Sequence, residues 1–399
     1  MKQTETRLEG TFRVLRADGN QITPANKVSI VNLSSAALFE LIEVKINDCQ
    51  CSDVSRKIYP YKSHVTCELS HSENVKRNNL YPSLYLFEDQ VGVNNTDLEG
   101  ENGNKSAIER RKWIAGSKNV KFSTKLYLDI FHTQKYIPPS SKLYLKLIKS
   151  SDEFVLMREA GDTTNYKIEI NSLKLVLKIL KPHDKYLALH RELIQKQDYV
   201  IPLTNTIVKT FIGKSGDPSI HLTNLNTEKY LPRSVIVCFV DRAAFNSSYA
   251  SNPFVYNNKK LSRMELKLDS GKVIKLQRDN ESFQFEENST SGIEAYMSML
   301  QNSGFLSNHE DNGISFKKFC SDSFFLVFNL TDPCSCNGYY KHSAKTGDFE
   351  IFIDFQDTLN NDIEILVFNI YEAVLCTDNK NKSLFYNYPI PPKKTLADK

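Results

Sequence analysis

Several short segments carry residue types that do chemistry elsewhere, and each has a spacing that can be checked. Gly213-Lys214-Ser215-Gly216 offers the glycine, lysine and hydroxyl of a phosphate-cradling loop. That loop also needs a glycine at position 208, and Val208 stands there. His309-Glu310 opens the pattern that holds zinc between two histidines one helical turn apart, but Gly313 takes the second histidine's place. Asn102, Gly103 and Glu109 fit three positions of a calcium loop, whose first and third ligands would be Leu98 and Gly100, so no cation is held. There is no GxSxG elbow, and no GxGxxG follows a strand.

Soft-metal chemistry has two loose sets of ligands. Cys334 and Cys336 lie near Cys320 and His342, while Cys49, Cys51 and Cys67 lie near His64. A C-x-C pair on a strand points both thiols the same way, but structural zinc draws on pairs two to four residues apart, and small buried thiols at sheet ends are commoner. The acidic run Asp279, Glu281, Glu286 and Glu287 offers carboxylates for acid–base work. Interleaved with Phe283 and Phe285, it reads as an edge strand with its charges outward. A double-stranded β-helix oxygenase would need two histidines and a carboxylate, and no HxD or HxE pair falls on a predicted strand. The residues therefore nominate no catalytic, cofactor-binding or metal site, and no cofactor.

The elements that would position such residues repeat mainly with period two. Leu143, Leu145 and Leu147 alternate with Lys142, Tyr144 and Lys146, and Tyr166–Leu180 repeats the device. Further strands are expected at 11–16, 39–47, 121–131, 199–212, 233–241, 261–268, 271–277, 322–330, 348–356 and 363–372. The 23 Phe and 19 Tyr suit half-buried pleated surfaces. Helices are expected at 185–195, at 291–301 with Ile293, Tyr296, Met297 and Leu300 on one stripe, and from Pro60 with Tyr61, Val65 and Leu69. Their expected role is to cover a sheet end or edge. Long loops are expected at 90–118, 213–230 and 302–318.

About a dozen strands divided by one central helix indicate two β-sandwiches in a chain of 399 residues. The expected divisions are 1–183, a helical linker at 184–196, 197–378, and an extended, mobile tail at 379–399. No residue-level repeat relates the halves. Lys plus Arg is 51 against 47 Asp plus Glu, too balanced for a protein built to hold a nucleic-acid backbone. The densest basic cluster, Arg110, Arg111, Lys112, Lys118 and Lys121, reads as a solvated loop and strand start. Apolar runs such as Val235–Val240 and Phe324–Phe328 are too short to span a bilayer, and residues 1–7 carry no secretory h-region. An intracellular, thiol-reduced protein is expected, and its Asn-x-Ser/Thr sites, Asn94 and Asn246 among them, are read as chance matches. The residues alone point to an all-β, two-sandwich binding or structural protein.

Short stretches spread along nearly the whole chain carry a resemblance. They are Ser35–Asp48 (SAALFELIEVKIND), Tyr59-Pro60-Tyr61-Lys62, Leu126–Gln134 (LYLDIFHTQ) and Leu143–Met157 (LYLKLIKSSDEFVLM) in the first half. The second half adds Leu231-Pro232-Arg233, Phe239-Val240-Asp241, Ala244–Tyr249 (AFNSSY), Asn252-Pro253-Phe254 and Phe328–Asp332 (FNLTD). In this order they resemble the double jelly-roll major capsid protein, or hexon, of Polinton/Maverick elements and adintoviruses. Each stretch is a short strand or turn, and their order from about residue 4 to residue 376 gives the match its specificity. The resemblance implies two jelly rolls side by side, with the first at 1–183 and the second at 197–378. It further implies a homotrimer whose six rolls form a pseudo-hexagonal capsomer, neighbouring capsomers that close an icosahedral shell, and a penton or minor capsid protein as partner. It carries no enzymatic activity, no membrane span and no sequence-specific nucleic-acid contact. The expected place is the virion, with assembly in the host nucleus or cytoplasm and no secretion by signal peptide.

Two departures accompany it. The similarity begins almost at Met1, whereas the family carries an upstream segment with the first strand of the first roll, so one strand is expected to be lacking and one sheet edge unpaired. A truncated gene model and a reduced first barrel are the two readings. The glycine the family places between Phe245 and Tyr249 is replaced by Asn246-Ser247-Ser248. The alternative from another class is a jelly-roll ligand-binding module, for instance one recognising carbohydrate, for which Trp113 is the lone tryptophan.

Overall fold

The computed structural model describes residues 2–387 apart from 89, 101–102, 134, 140, 197, 229, 277–281, 284–290, 306–310, 331–344 and 379–381. Alternating sequence builds the strands of the first half: β1 (Lys2–Arg16), β2 (Val28–Ile30), β3 (Phe39–Ile46), β4 (Cys49–Gln50), β5 (Val120–Lys125), β6 (Leu143–Lys149), β7 (Leu156–Arg158) and β8 (Tyr166–Lys178). The second half holds β9 (Tyr199–Gly213), β10 (Ser219–Leu222), β11 (Ser234–Asp241), β12 (Leu261–Leu268), β13 (Val273–Lys275), β14 (Leu326–Asn329), β15 (Phe349–Phe355), β16 (Ile363–Thr377) and β17 (Ser383–Asn387). The helices are α1 (Ser34–Ala37), α2 (Ile58–Ser70), α3 (Glu73–Asn78), α4 (Lys105–Ile114), α5 (Asp152–Val155), α6 (Asp184–Lys196), α7 (Arg242–Phe245), α8 (Ile293–Asn302) and α9 (Phe316–Ser321).

Among the described residues the second half is an eight-stranded jelly roll. One sheet runs β14-β11-β16-β9 and the other β10-β15-β12-β13, with every named pair antiparallel. The long strand β16 anchors it, pairing residue for residue with β9 from Ile363↔Gly213 to Thr377↔Tyr199. Its inner faces are sealed: Phe349, Ile351, Ile353 and Phe355 of β15 and Val235, Val237 and Phe239 of β11 are buried.

The first half repeats six of those eight strands in the same connectivity. Its sheets run β5-β1-β8 and β4-β3-β6, the orders of β14-β11-β16 and β13-β12-β15. Among the described residues, counterparts of β9 and β10 are absent, one from each sheet, where the sequence resemblance suggested a single strand. Leu8, Phe12 and Val14 of β1 point inward, and Gly10 between them lets the Phe122 ring cross the strand. An added Cβ at Gly10 would lie 2.6 Å from that ring.

Several expectations are corrected. The loop expected at 90–118 contains α4, started by Asn104, whose side chain accepts the Ala107 amide. Arg110, read as solvated, is fully buried. Residues 383–387, placed in a mobile tail, form β17 and pair with the end of β16. The linker helix α6 has no buried residue and touches the sheet at its end, where His190 packs edge-on against Tyr199 of β9 at 5.4 Å. The expected strand at 121–131 ends at Lys125 and continues as a 3₁₀ turn, Asp129–Phe131.

Candidate functional site

The densest grouping of ionisable side chains lies where the two halves meet. The helix α2 supplies His64 and Glu68, α3 supplies Lys76, α4 supplies Arg110, and α9 of the second half supplies Lys318. Lys76 Nζ donates to Glu68 Oε2 at 2.8 Å, to the Glu68 carbonyl at 2.9 Å and to the Asn312 carbonyl at 2.6 Å. Three acceptors match the three donors of an ammonium. Tyr85 Oη donates to Glu68 Oε1 at 2.7 Å. Arg110 Nη1 donates to Glu88 Oε1 at 2.7 Å and its Nε to the Ile30 carbonyl, while Lys318 Nζ reaches the Glu88 carbonyl.

Burial alone would raise the Glu68 pKa, but the Lys76 and Lys318 ammoniums outweigh it and keep the carboxyl below its ordinary range. Burial pushes His64 down to about 4, so the ring is neutral at pH 7. That ring stacks on Phe254 of the second half at 4.4 Å between centroids, with Tyr256 Oη 3.4 Å from Nδ1. These groups have the perturbed ionisation that marks many active sites. Their geometry says otherwise: each carboxylate is committed to a cation and the cluster is sealed, so no substrate reaches it. Its chemistry is cohesion between the halves.

The surface around it is also spent. A cleft of about 460 Å³ opens between α2, α5 and α7, lined by Glu40, Lys57, Pro60, Ser150 and Asn246. Its one cation, Lys57, donates to the Phe245 carbonyl at 3.2 Å and covers the Phe245 ring.

The motifs tested in the sequence land apart. Gly213-Lys214-Ser215-Gly216 is the turn after β9, and its amides are taken: Lys214 N donates to Asp217, Ser215 N to Asp362, and Gly216 N to the Leu359 carbonyl. His309-Glu310, Asn102, Cys334, Cys336, His342, Asp279, Glu281, Phe285, Glu286 and Glu287 lie outside the described residues, while Phe283 is buried. Cys67 donates to Tyr127 Oη at 2.9 Å, away from metal chemistry. Among the described residues no three His, Cys, Asp or Glu side chains converge as metal ligands. Trp113 is half-buried with its ring edge-on to Tyr81 at 5.6 Å, so it presents no open platform for a sugar.

A flank of the first half stays open. The outer edge of β8 is capped at its start, where Tyr249 Oη bonds Tyr166 N and Asp152 Oδ1 takes the Ile168 amide. Among the described residues, its ladder partner beyond Ile168 is β1 alone, and β6 pairs with β3 alone. Leu143, Leu145 and Leu147 on β6 stay half-buried where their counterparts on β15 are sealed. Further along the chain Leu173, Ile179 at 76% exposure and Leu180 are exposed, as are Tyr186, Leu189 and Leu193 of α6 at 71%, 56% and 52%. An amphipathic helix with its apolar stripe in solvent marks a contact surface. Helical spacing in the sequence aligns Leu187, His190, Arg191 and Ile194, with Leu189 and Leu193 beside them, whereas the exposed apolar side is Tyr186, Leu189 and Leu193. Sequence reasoning missed Glu68, Lys76, Glu88 and Lys318; the Lys318–Glu88 bond joins residues 230 apart in the chain.

Comparison with solved structures supports the topology. The chain is similar to a chain of the Sputnik virophage solved by cryo-EM, with a TM-score of 0.59 at 10% identity over 98% of this chain and 86% of that one. Weaker likeness reaches the mavirus major capsid protein (TM-score 0.44, 12% identity, 98% and 85% covered). It also reaches the capsid of the virus PBCV-1 (TM-score 0.49, 9% identity, 96% and 89% covered). No family model and no curated protein matches. The chain is an all-β double jelly roll with short helices in its loops and linker. Among the described residues no helix is long and apolar enough to cross a membrane.

Proposed function

We propose that this chain is a structural capsid subunit that works by self-assembly and not by catalysis. The observation that carries the reading is a double jelly roll whose first half leaves the edges of β6 and β8 without a further strand and whose linker helix α6 exposes Tyr186, Leu189 and Leu193. A chain of the Sputnik virophage shares the fold at a TM-score of 0.59, and a capsid role is consistent with that. In this reading three copies form a pseudo-hexagonal capsomer, capsomers tile a shell in the virion, and a penton or minor protein fills the remaining vertices. An origin in a Polinton-like virus or its integrated copy fits the ordered sequence stretches. The division into rolls at 1–183 and 197–378 with a linker at 184–196 belongs to the same reading. The flank of β6, β8 and α6 is where neighbours meet. A subunit contact of this kind buries more than about 2,000 Å² and is largely apolar. Near-balanced charge lets identical copies pack without strong mutual repulsion.

Negative-stain electron microscopy of the concentrated protein tests it. The reading expects hexagonal tiles or closed particles. Dispersed single molecules that bind a glycan saturably, with no tiles at any concentration or salt, would turn the assignment to a ligand-binding jelly roll.

A further inference from the structure

The sealed cluster also places a nucleophile, a proton carrier and an amide side by side. Lys76 and Glu68 belong to the first half, and Asn312 lies on the stretch that leads into α9. That stretch is docked on α3: the Glu73 amide donates to the Asp311 carbonyl at 3.1 Å, and Lys76 Nζ holds the Asn312 carbonyl at 2.6 Å. Gly313 follows with φ of 68°, and a Cβ there would lie 2.6 Å from the Phe87 ring, so the glycine lets that ring close over the turn. The Asn312 side chain is only partly satisfied. Its Oδ1 accepts the Ile314 amide at 3.1 Å, whereas Nδ2 is buried with no hydrogen-bond partner among the described residues. A buried amide donor left unpaired is costly and rare in a native fold. Lys76 is buried against the same residue, and burial lowers its pKa toward the neutral amine. Glu68 Oε2, 2.8 Å from Nζ, is placed to take the proton, and Tyr85 Oη fixes the other carboxylate oxygen.

We propose that Lys76 Nζ and Asn312 Cγ join in an isopeptide bond inside the folded chain, with Glu68 moving the protons, so that the two halves are tied covalently. The ammonium gives one proton to Glu68, and the freed amine attacks Cγ. The Nζ–Cγ bond forms as the carbonyl electron pair moves onto Oδ1, where the Ile314 N–H stabilises the oxyanion. Glu68 passes its proton to Nδ2 and takes a second one from Nζ. Oδ1 then returns its electron pair, the Cγ–Nδ2 bond breaks, and ammonia leaves. Nothing is oxidised or reduced: an ammonium, a carboxylate and an amide become a secondary amide, a carboxylic acid and ammonia. A buried ion pair, costly to hold out of water, gives way to neutral groups, and the unpaired Nδ2 departs with the ammonia. Holding the reacting groups together in the fold supplies a rate that the same reaction lacks between free molecules. No substrate enters, in keeping with a sealed site.

The test is the intact mass of the whole purified chain, set against the mass its sequence requires, followed by peptide mapping. The parent is expected to lack one ammonia and to yield a branched peptide that joins Lys76 to Asn312. Nicked by a protease between these residues, it is expected to run as one species under denaturing, reducing conditions. Glu68→Gln and Asn312→Ala are expected to keep their full masses and to separate into two fragments once nicked. A folded parent that still has its full mass after prolonged incubation would overturn the proposal. So would a missing ammonia without the branched peptide, which would mean that Asn312 had closed on the Gly313 amide instead. Because these readings come from the unmodified chain, a variant that fails to fold does not protect the proposal.

Discussion

Arg110 and Glu88 face each other at 2.7 Å with the guanidinium fully buried, and Lys318 from the other half bonds the Glu88 carbonyl. One carboxylate residue thus ties α4 to the first roll and the first roll to the second. Truncating one partner strands the other charge out of water, which costs about 3–5 kcal/mol. Arg110→Ala is expected to lower Tm by many degrees in calorimetry. A Tm within a degree of the parent would mean that the pair is solvated.

Acid should weaken the joint through His64. Its pKa in the fold is about 4, below the ordinary value of about 6.5, so between these limits the unfolded chain binds the extra proton. Stability therefore rises with pH through that window and is lost as pH falls from 6.5 to 4, by about 3 kcal/mol from this one group. Denaturant titrations across the window should show the loss, and His64→Gln should flatten it. An unchanged slope in the variant would contradict the account.

The glycine at position 10 is required by a close approach. A side chain there meets Phe122 at 2.6 Å and Leu173 at 2.9 Å. Gly10→Val should cost about 1–3 kcal/mol by overpacking. A paired Phe122→Leu change is expected to restore part of it, measured as a denaturation midpoint.

The open flank has a dynamic signature. Amides of β8 after Ile168 should exchange with deuterium much faster than those at the matching place in β16, which is paired on both sides. Equal protection in the isolated chain would show that the edge is already covered.

How much of this was legible in the sequence differs between the halves. The alternation in Phe349–Phe355 and Leu261–Leu268 shows both the strands and their buried faces, because a full second layer covers them. The leucines at 143, 145 and 147 alternate just as clearly, yet periodicity reports which face is apolar and not whether anything lies over it. The helix α4 escaped although Asn104 caps it, because its buried face of Ala107, Arg110 and Ile114 carries an arginine within a run of charges. The charge cluster was invisible for a related reason. Lys318 meets Glu88 only through the packing of the two rolls, and no spacing along the chain encodes that.

The most direct measurement of the central claim is the mass of the purified 399-residue chain in native solution, taken alongside a variant with Leu189→Glu and Leu193→Glu on α6. The account predicts a trimer of about 137 kDa, three times 45.7 kDa, for the parent and a well-folded monomer with unchanged Tm for the variant. A parent that stays at 45.7 kDa up to high micromolar concentration would contradict it.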